Sequence, residues 1–149
     1  MTIAGSGAYL QAWRKSHTGL IVLDLSLETH KVALFLDTLA VDFDNDAGFA
    51  AAPFTANQVS GAGYVAGGIT VTGTDWVVGP TRFLKWTASP MVFGSVTIAA
   101  PGIRGGVFYA NALTAKDAFY LADFGQSFPA NGAFTLTPPS GGIFFFDMT

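Results

Sequence analysis

No apolar run in this sequence extends far before a glycine, a proline or a charged residue interrupts it. The 18 glycines and 7 prolines are spread along all 149 residues. This spacing is typical of many short strands joined by turns. Apolar and polar residues alternate over residues 69–72 (ITVT) and 134–137 (FTLT). Such alternation predicts strands with one face in a core and the other in solvent.

Other strands are predicted from runs that are more uniformly apolar. Because these runs show little alternation of apolar and polar residues, we expect them to lie centrally in a sheet or at an interface. They cover residues 31–36, 76–78, 92–98, 107–110, 119–124 and 143–146.

A helix is predicted over residues 8–15, where Tyr9 and Trp13 share one face. Ser6 is its predicted N-cap, and Gly19 lies beyond its end. A short helical turn is predicted over residues 114–117. The predicted fold is therefore mainly β, an antiparallel β-sandwich or barrel with a short N-terminal helix. It forms a single domain over residues 1–149 with an N-terminal arm over about residues 1–18.

Residues 37–57 are the least regular part of the sequence. They begin with Asp37, contain Asp42, Asp44 and Asp46, and continue into a small apolar run that is broken by Pro53. We predict a long excursion on the surface, of the kind that is often functional or is ordered by a neighbour.

The composition is unusually poor in charge. Charged residues make up 11% and hydrophobic residues 50% of the chain, whereas an average soluble chain is about 25% charged. One interpretation is a compact β protein with a Ser/Thr/Asn/Gly surface. The other, which we favour, is a subunit whose surface is partly buried against copies or partners.

Several classes of protein are disfavoured by the same composition. The chain has no cysteine, so it forms no disulfide and no thiolate metal site. No apolar run reaches the ~20 residues of a spanning helix, and the N-terminus lacks the pattern of a signal peptide. The 7 basic residues are scattered, whereas nucleic-acid binding requires a basic cluster. We therefore predict neither membrane insertion nor nucleic-acid binding.

The candidate catalytic and cofactor motifs lack the neighbouring structure that their chemistry requires. Residues 61–66 (GAGYVA) match the G-x-G-x-x-[GA] string, but a strand-like segment follows where a dinucleotide site needs a helix. A loop whose glycines take positive φ is the better interpretation. His17 and His30 lack metal-ligand spacing, and neither a nucleophile elbow nor a P-loop is present. We predict no enzyme, no catalytic residue and no cofactor.

One weak metal candidate exists. Asp42, Asp44 and Asp46 alternate as in a calcium loop, but Ala47 and Pro53 occupy the positions where an EF-hand needs Gly and Glu. The alternatives are a looser calcium site or a solvated acidic turn.

The aromatic residues also allow two interpretations. Trp76, Trp86, Phe83 and Tyr64 either form a platform on which sugars stack, or they fill a core.

Several segments together resemble a family of small virion structural proteins from tailed phages. The most specific is residues 57–73 (NQVSGAGYVAGGITVTG), similar to the family's N-E-V-S-G-T-G-Y-x-A-G-G-x-x-L-T-G, with Gln58 where Glu is usual. By motif order the resemblance covers about four-fifths of the chain, and its motifs are turn and strand signatures. Residues 73–89 depart from the pattern. The other matching segments are 27–35 (LETHKVALF), the acidic stretch 37–46, 103–109 (IRGGVFY), 122–125 (ADFG) and 130–144 (ANGAFTLTPPSGGIF).

The resemblance implies a structural protein of the virion. With the composition, it leads us to expect a capsid decoration protein that binds the major capsid protein on the outer face of the head shell and stabilises it. We expect a homo-oligomer, with a trimer favoured at local threefold positions, and an arm over residues 1–7 that contacts the shell. The alternative is a minor tail, tail-fibre or baseplate module that contacts the host surface or a glycan.

Overall fold

The computed structural model of the chain describes residues 3–80 and 82–147. Two antiparallel sheets pack as a sandwich with one short helix, which confirms the predicted fold class. The elements are β1 (Gly7–Ala8), α1 (Leu10–His17), β2 (Lys31–Phe35), β3 (Ile69–Thr70), β4 (Asp75–Gly79), β5 (Phe83–Thr87), β6 (Met91–Tyr109), β7 (Ala118–Leu136) and β8 (Phe144–Asp147).

The larger sheet has the order β1-β7-β6-β2-β3, and the smaller has the order β4-β5-β8. The long hairpin of β6 and β7 is the main feature of the larger sheet. Each strand has 19 residues, so the separately predicted strands 92–98 and 107–110 belong to one element. The predicted strand 69–72 is shorter than expected, since β3 ends at Thr70.

The hairpin changes register near Gly102, where the pairing breaks between Ile98 and Gly105. Gly102 has a φ of +88°, and a Cβ there would overlap the Phe128 carbonyl, so only glycine fits. Before this break the strand alternates, with Phe93 and Val96 buried and Val92 exposed. Residues 92–98 therefore present one exposed face, and an interface there, the second alternative, stays a prediction.

The first core lies between the two sheets. Trp86 is at its centre, with its ring edge-to-face against Phe108 at 5.8 Å and Phe119 at 5.6 Å. Its indole N–H donates to the carbonyl of Leu25 at 2.9 Å, which satisfies the one polar atom of the ring. Buried Phe144 of β8 packs on the same indole.

The second core lies on the opposite face of the larger sheet, and residues 37–57 cover it. Phe49 stacks on Tyr109 with ring centroids 3.7 Å apart, and Phe54 packs on Phe35. The predicted irregular excursion on the surface is confirmed, since most of its residues are exposed or half-buried, and the segment also covers the second core. Apolar side chains spaced along it reach the sheet without forming a strand, and four of them are buried: Leu39, Val41, Phe49 and Phe54.

The N-terminal segment packs on its own chain. Ile3 is buried, and its N–H donates to the Asp37 carbonyl, while β1 pairs with β7. Residues 3–7 therefore pack on their own chain, and the expected contact of the arm with a shell stays a prediction. Residues 1 and 2 lie outside the described part of the chain.

The helix begins two residues later than predicted, with Tyr9 at its N-cap and no side-chain cap. Ser6 instead accepts a hydrogen bond from the N–H of Asp123, so its predicted capping role is wrong. Gly19 follows the helix end with a φ of +73°, as expected. Thr114 and Ala115 lie in a turn and Asp117 forms an isolated bridge with Gly48, in place of the predicted helical turn over residues 114–117.

Candidate functional site

The loop that carries the most specific motif, residues 57–68, is pinned through Tyr64 and Gln58. The Tyr64 hydroxyl accepts from the N–H of Leu34 at 2.9 Å and donates to Gln58 Oε1 at 3.3 Å. Gln58 Oε1 also accepts from the N–H of Gly67. Burial raises the pKa of Tyr64 to about 12, so its hydroxyl stays protonated and keeps donating.

The glycines of this loop allow its backbone to lie directly on neighbouring strands. A Cβ on Gly61 would overlap the carbonyl of Thr97, and one on Gly68 would overlap that of Val32. The Tyr109 hydroxyl donates to the Gly67 carbonyl at 2.8 Å. A turn and then β3 follow the motif, so the loop interpretation is confirmed, and its role is to tie β2 and both halves of β6 together.

The three aspartates of the weak calcium candidate act within a turn. Asp42 accepts from the N–H groups of Asp44 and Asn45 and from the Asn45 side chain. These bonds, led by the one from the Asn45 side chain, lower the pKa of Asp42. Asp46 accepts from the N–H of Asp42, and partial burial raises its pKa. Calcium binding here stays a prediction. The carboxylates of Asp42 and Asp46 already accept hydrogen bonds within the turn.

Within residues 3–80 and 82–147, no group of three or more His, Cys, Asp or Glu side chains is arranged to hold a metal ion.

The two histidines hold local structure. His30 lies immediately before β2, as predicted, and is buried, with Nε2 2.7 Å from the Asp24 carbonyl. Its Nδ1 is buried without a hydrogen-bond partner, and burial lowers its pKa. His17 is the last residue of α1 rather than just past it, and its Nδ1 lies 2.8 Å from the Trp13 carbonyl.

Ion pairs hold the long hairpin to α1 and its two strands to each other. Asp117, 1% exposed, pairs with Lys15 and so ties the hairpin tip to α1. Arg104 on β6 binds Asp123 on β7 through two nitrogens, at 2.8 and 3.2 Å. Both pairs join structural elements, which accounts for them structurally.

The predicted sugar platform is not assembled. Trp86 is fully buried and therefore cannot stack on a ligand, and the Tyr64 hydroxyl is held inside the loop. Trp76 packs on Phe146 with centroids 6.1 Å apart, whereas Phe83 packs on Phe145 at 4.9 Å. The grouping of these four residues as one platform is wrong, because Trp86 fills the core.

The smaller sheet instead presents an apolar surface. Strand register places Val78 opposite Leu84 and Leu84 opposite Phe146, and opposed residues share a face. The neighbouring row on the same face, Trp76–Trp86–Phe144, leads into the core. The outer row is Val78–Leu84–Phe146. It is less covered than the inner row, with Val78 80% exposed and Phe146 41% exposed.

Helix α1 extends this surface. Leu10 is 52% exposed, and Trp13 lies edge-on to Phe146 at 5.6 Å. A shallow hollow of about 420 Å³ between them is lined by Ala8, Leu10, Trp13, His17 and Phe146. We call Leu10, Val78, Leu84 and Phe146 the overhang patch. Sequence analysis marked residues 143–146 as an interface or central strand but missed Val78 and Leu84 as their neighbours, because only strand register joins them.

Among residues 3–80 and 82–147, no helix has both the length and the hydropathy needed to cross a bilayer. No protein-family model matches the chain, and neither a curated protein nor a solved structure is significantly similar to it.

Proposed function

We propose that this protein is a structural component of a tailed-phage virion, a decoration protein that binds the major capsid protein on the outer face of the head shell. It stabilises the shell by adding contacts between neighbouring capsid subunits. It acts as a homo-oligomer, with a trimer favoured because threefold positions recur across an icosahedral lattice. It has no catalytic role.

The observation that carries the proposal is the overhang patch. The largest exposed apolar patch of a soluble protein is often functional, because that surface gains free energy when a partner covers it. Here the patch lies on a regular sheet, and the chain as a whole is only 11% charged. Both features are expected of a protein whose apolar surface is covered by other subunits in an assembly.

Two further features support the proposal. The segment with the most specific resemblance, residues 57–73, is mostly rigid scaffold, and its glycines are required by close backbone contacts. The strongest polar interactions of the described residues join structural elements rather than line a cleft.

Localisation on purified particles tests the proposal. Gold-labelled antibody against this protein should decorate heads uniformly on intact virions, and should release with the protein when the shell is stripped. Label confined to the tail or its tip, with bare heads, would overturn the decoration role and favour the tail module. Particles without any label would overturn both.

A further inference from the structure

The smaller sheet has two open edges in the described chain. Its order is β4-β5-β8, and neither β4 nor β8 pairs with a further strand among residues 3–80 and 82–147. The overhang row runs from one edge to the other, with Val78 on β4, Leu84 on β5 and Phe146 on β8. An apolar row that ends at two open edges can continue into a neighbouring sheet on both sides.

We propose that copies of this chain join head to tail through these edges, with β8 of one copy beside β4 of the next, and that three copies close a ring. Phe146 of one copy then lies beside Val78 of the next, so the apolar row becomes continuous. This inference rests on the oligomeric role in the proposed function.

The edges of the two sheets differ in how they are protected. The larger sheet ends in β1 and β3, which have two residues each and therefore present few backbone groups that could pair with another chain. Very short edge strands, lysines and prolines are the usual protection against pairing with another chain. β8 carries Phe144, Phe145 and Phe146 in succession, with neither lysine nor proline. Its edge is therefore suited to pairing rather than shielded from it.

Strand direction agrees with a ring. β4 and β8 are both antiparallel to β5, so they run in the same direction. Rotation about an axis roughly parallel to the strands keeps that direction, and it brings β8 of one copy parallel to β4 of the next. A groove of about 440 Å³ beside β8, between Trp13 and Tyr120, leaves room for the approaching edge.

A two-fold contact accounts for less of the surface. Pairing β8 with the same strand of a second copy covers Phe146 but leaves Val78, at the far edge, 80% exposed. The head-to-tail contact covers both residues with one interface. It also leaves no open edge once the ring closes.

The area sets the strength of the contact. The overhang patch exposes on the order of 300 Å² of apolar surface, against about 800 Å² per partner in a standard stable interface. A single contact is therefore weak, and the second contact that each copy makes in a closed ring strengthens the assembly. We expect reversible association that depends on concentration.

Sedimentation velocity of the full chain across a wide concentration range tests the inference. The wild type should pass from monomer to trimer. V78D and F146D should each raise the concentration of half-association by at least about 30-fold, the effect of losing one hot-spot side chain. V92D, at a 59% exposed position on β6, is the matched control and should associate like wild type.

Mixing the two variants separates head-to-tail from two-fold contacts. V78D keeps an intact β8 edge and F146D keeps an intact β4 edge, so an equimolar mixture should form heterodimers although neither variant associates alone. Self-association of V78D as a dimer would overturn the inference in favour of a β8 two-fold. A wild type that stays monomeric throughout would overturn it outright. If monomers nevertheless label the phage head, the proposed function stands without this contact.

Discussion

Residues 37–57 and the smaller sheet reverse the usual relation between regular structure and burial. The first region has no helix or strand, yet Leu39 and Phe54 are fully buried. The second has three regularly paired strands, yet Val78 is 80% exposed. Backbone pairing and side-chain burial are therefore separate properties of this molecule.

The difference lies in what each region has to pack against. Residues 37–57 lie over the second core, where the aromatic faces of Phe35 and Tyr109 are available within the same chain. The outer row of the smaller sheet is covered only in part, by the packing of Phe146 on Trp13 and Trp76, and Val78 stays 80% exposed. An irregular segment with a partner is buried, and a regular one without a partner stays exposed until another chain covers it.

The largest effect is expected from truncating a buried aromatic side chain in the irregular region. Phe54→Ala removes a side chain packed against Tyr9, Phe35 and Phe49, and should lower the free energy of unfolding by about 3–5 kcal/mol. Phe146→Ala, at a 41% exposed site, should cost less than about 1.5 kcal/mol in the monomer. Urea unfolding at low protein concentration measures both, and equal losses would break the comparison.

The glycine loop should be nearly as sensitive to substitution. Gly68 and Gly94 have almost the same φ, +71° and +70°, but a Cβ on Gly68 overlaps the Val32 carbonyl, whereas Gly94 has open space. Gly94→Ala should cost about 1 kcal/mol for backbone strain alone. Gly68→Ala should cost at least about 2 kcal/mol more because β2 must move. Thermal unfolding of the pair checks this, and similar values would mean that the loop is not tightly seated.

A smaller effect should appear in the pH dependence of stability. Burial lowers the pKa of His30 in the folded state below its ordinary value of 6.5. The unfolded chain therefore binds a proton more readily, so the contribution of neutral His30 is complete above pH 6.5 and is lost as pH falls through the folded-state pKa. Above about pH 5, where most carboxylates stay ionised, this histidine should dominate the slope.

Replacing His30 isolates the effect. His30→Gln should flatten the loss of stability on the acid side of pH 6.5. A slope that survives His30→Gln would assign the dependence to another group.

The smallest effect is expected at the acidic turn. Asp42→Ala removes the acceptor of three hydrogen bonds in an exposed turn and should lower the melting temperature slightly, without calcium. Melting with and without calcium tests the metal candidate separately. A rise with calcium that Asp42→Ala abolishes would establish a site, and no rise would leave the aspartates as turn formers.

Local sequence signals predicted the elements whose structure depends on neighbouring residues. Alternation at 134–136 and the apolar run at 31–35 both correspond to strands, because side-chain period is a local property. The helix was displaced by two residues because Ser6 bonds to β7 instead of capping it. The calcium candidate was recognisable as a turn for the same local reason.

Distant contacts account for what sequence reasoning missed. Nothing near Phe49 in the sequence reveals that Tyr109 lies 3.7 Å from it in space. The sequence alone allowed Trp86 to be a surface aromatic, but the structure buries it between the two sheets. The overhang patch unites residues 10, 78, 84 and 146, which only the register of β4, β5 and β8 and the position of α1 bring together.

Hydrogen exchange at two protein concentrations tests most directly the claim that a second chain covers the regular but exposed region. Amides of residues 37–57 that are bonded within the chain, such as those of Phe49 and Phe54, should exchange at the same slow rate at both concentrations. Amides of β4 and β8 should exchange quickly when dilute and become protected together when concentrated. If β4 and β8 exchange at the same rate at both concentrations, the overhang is not an interface between copies, and the account is contradicted.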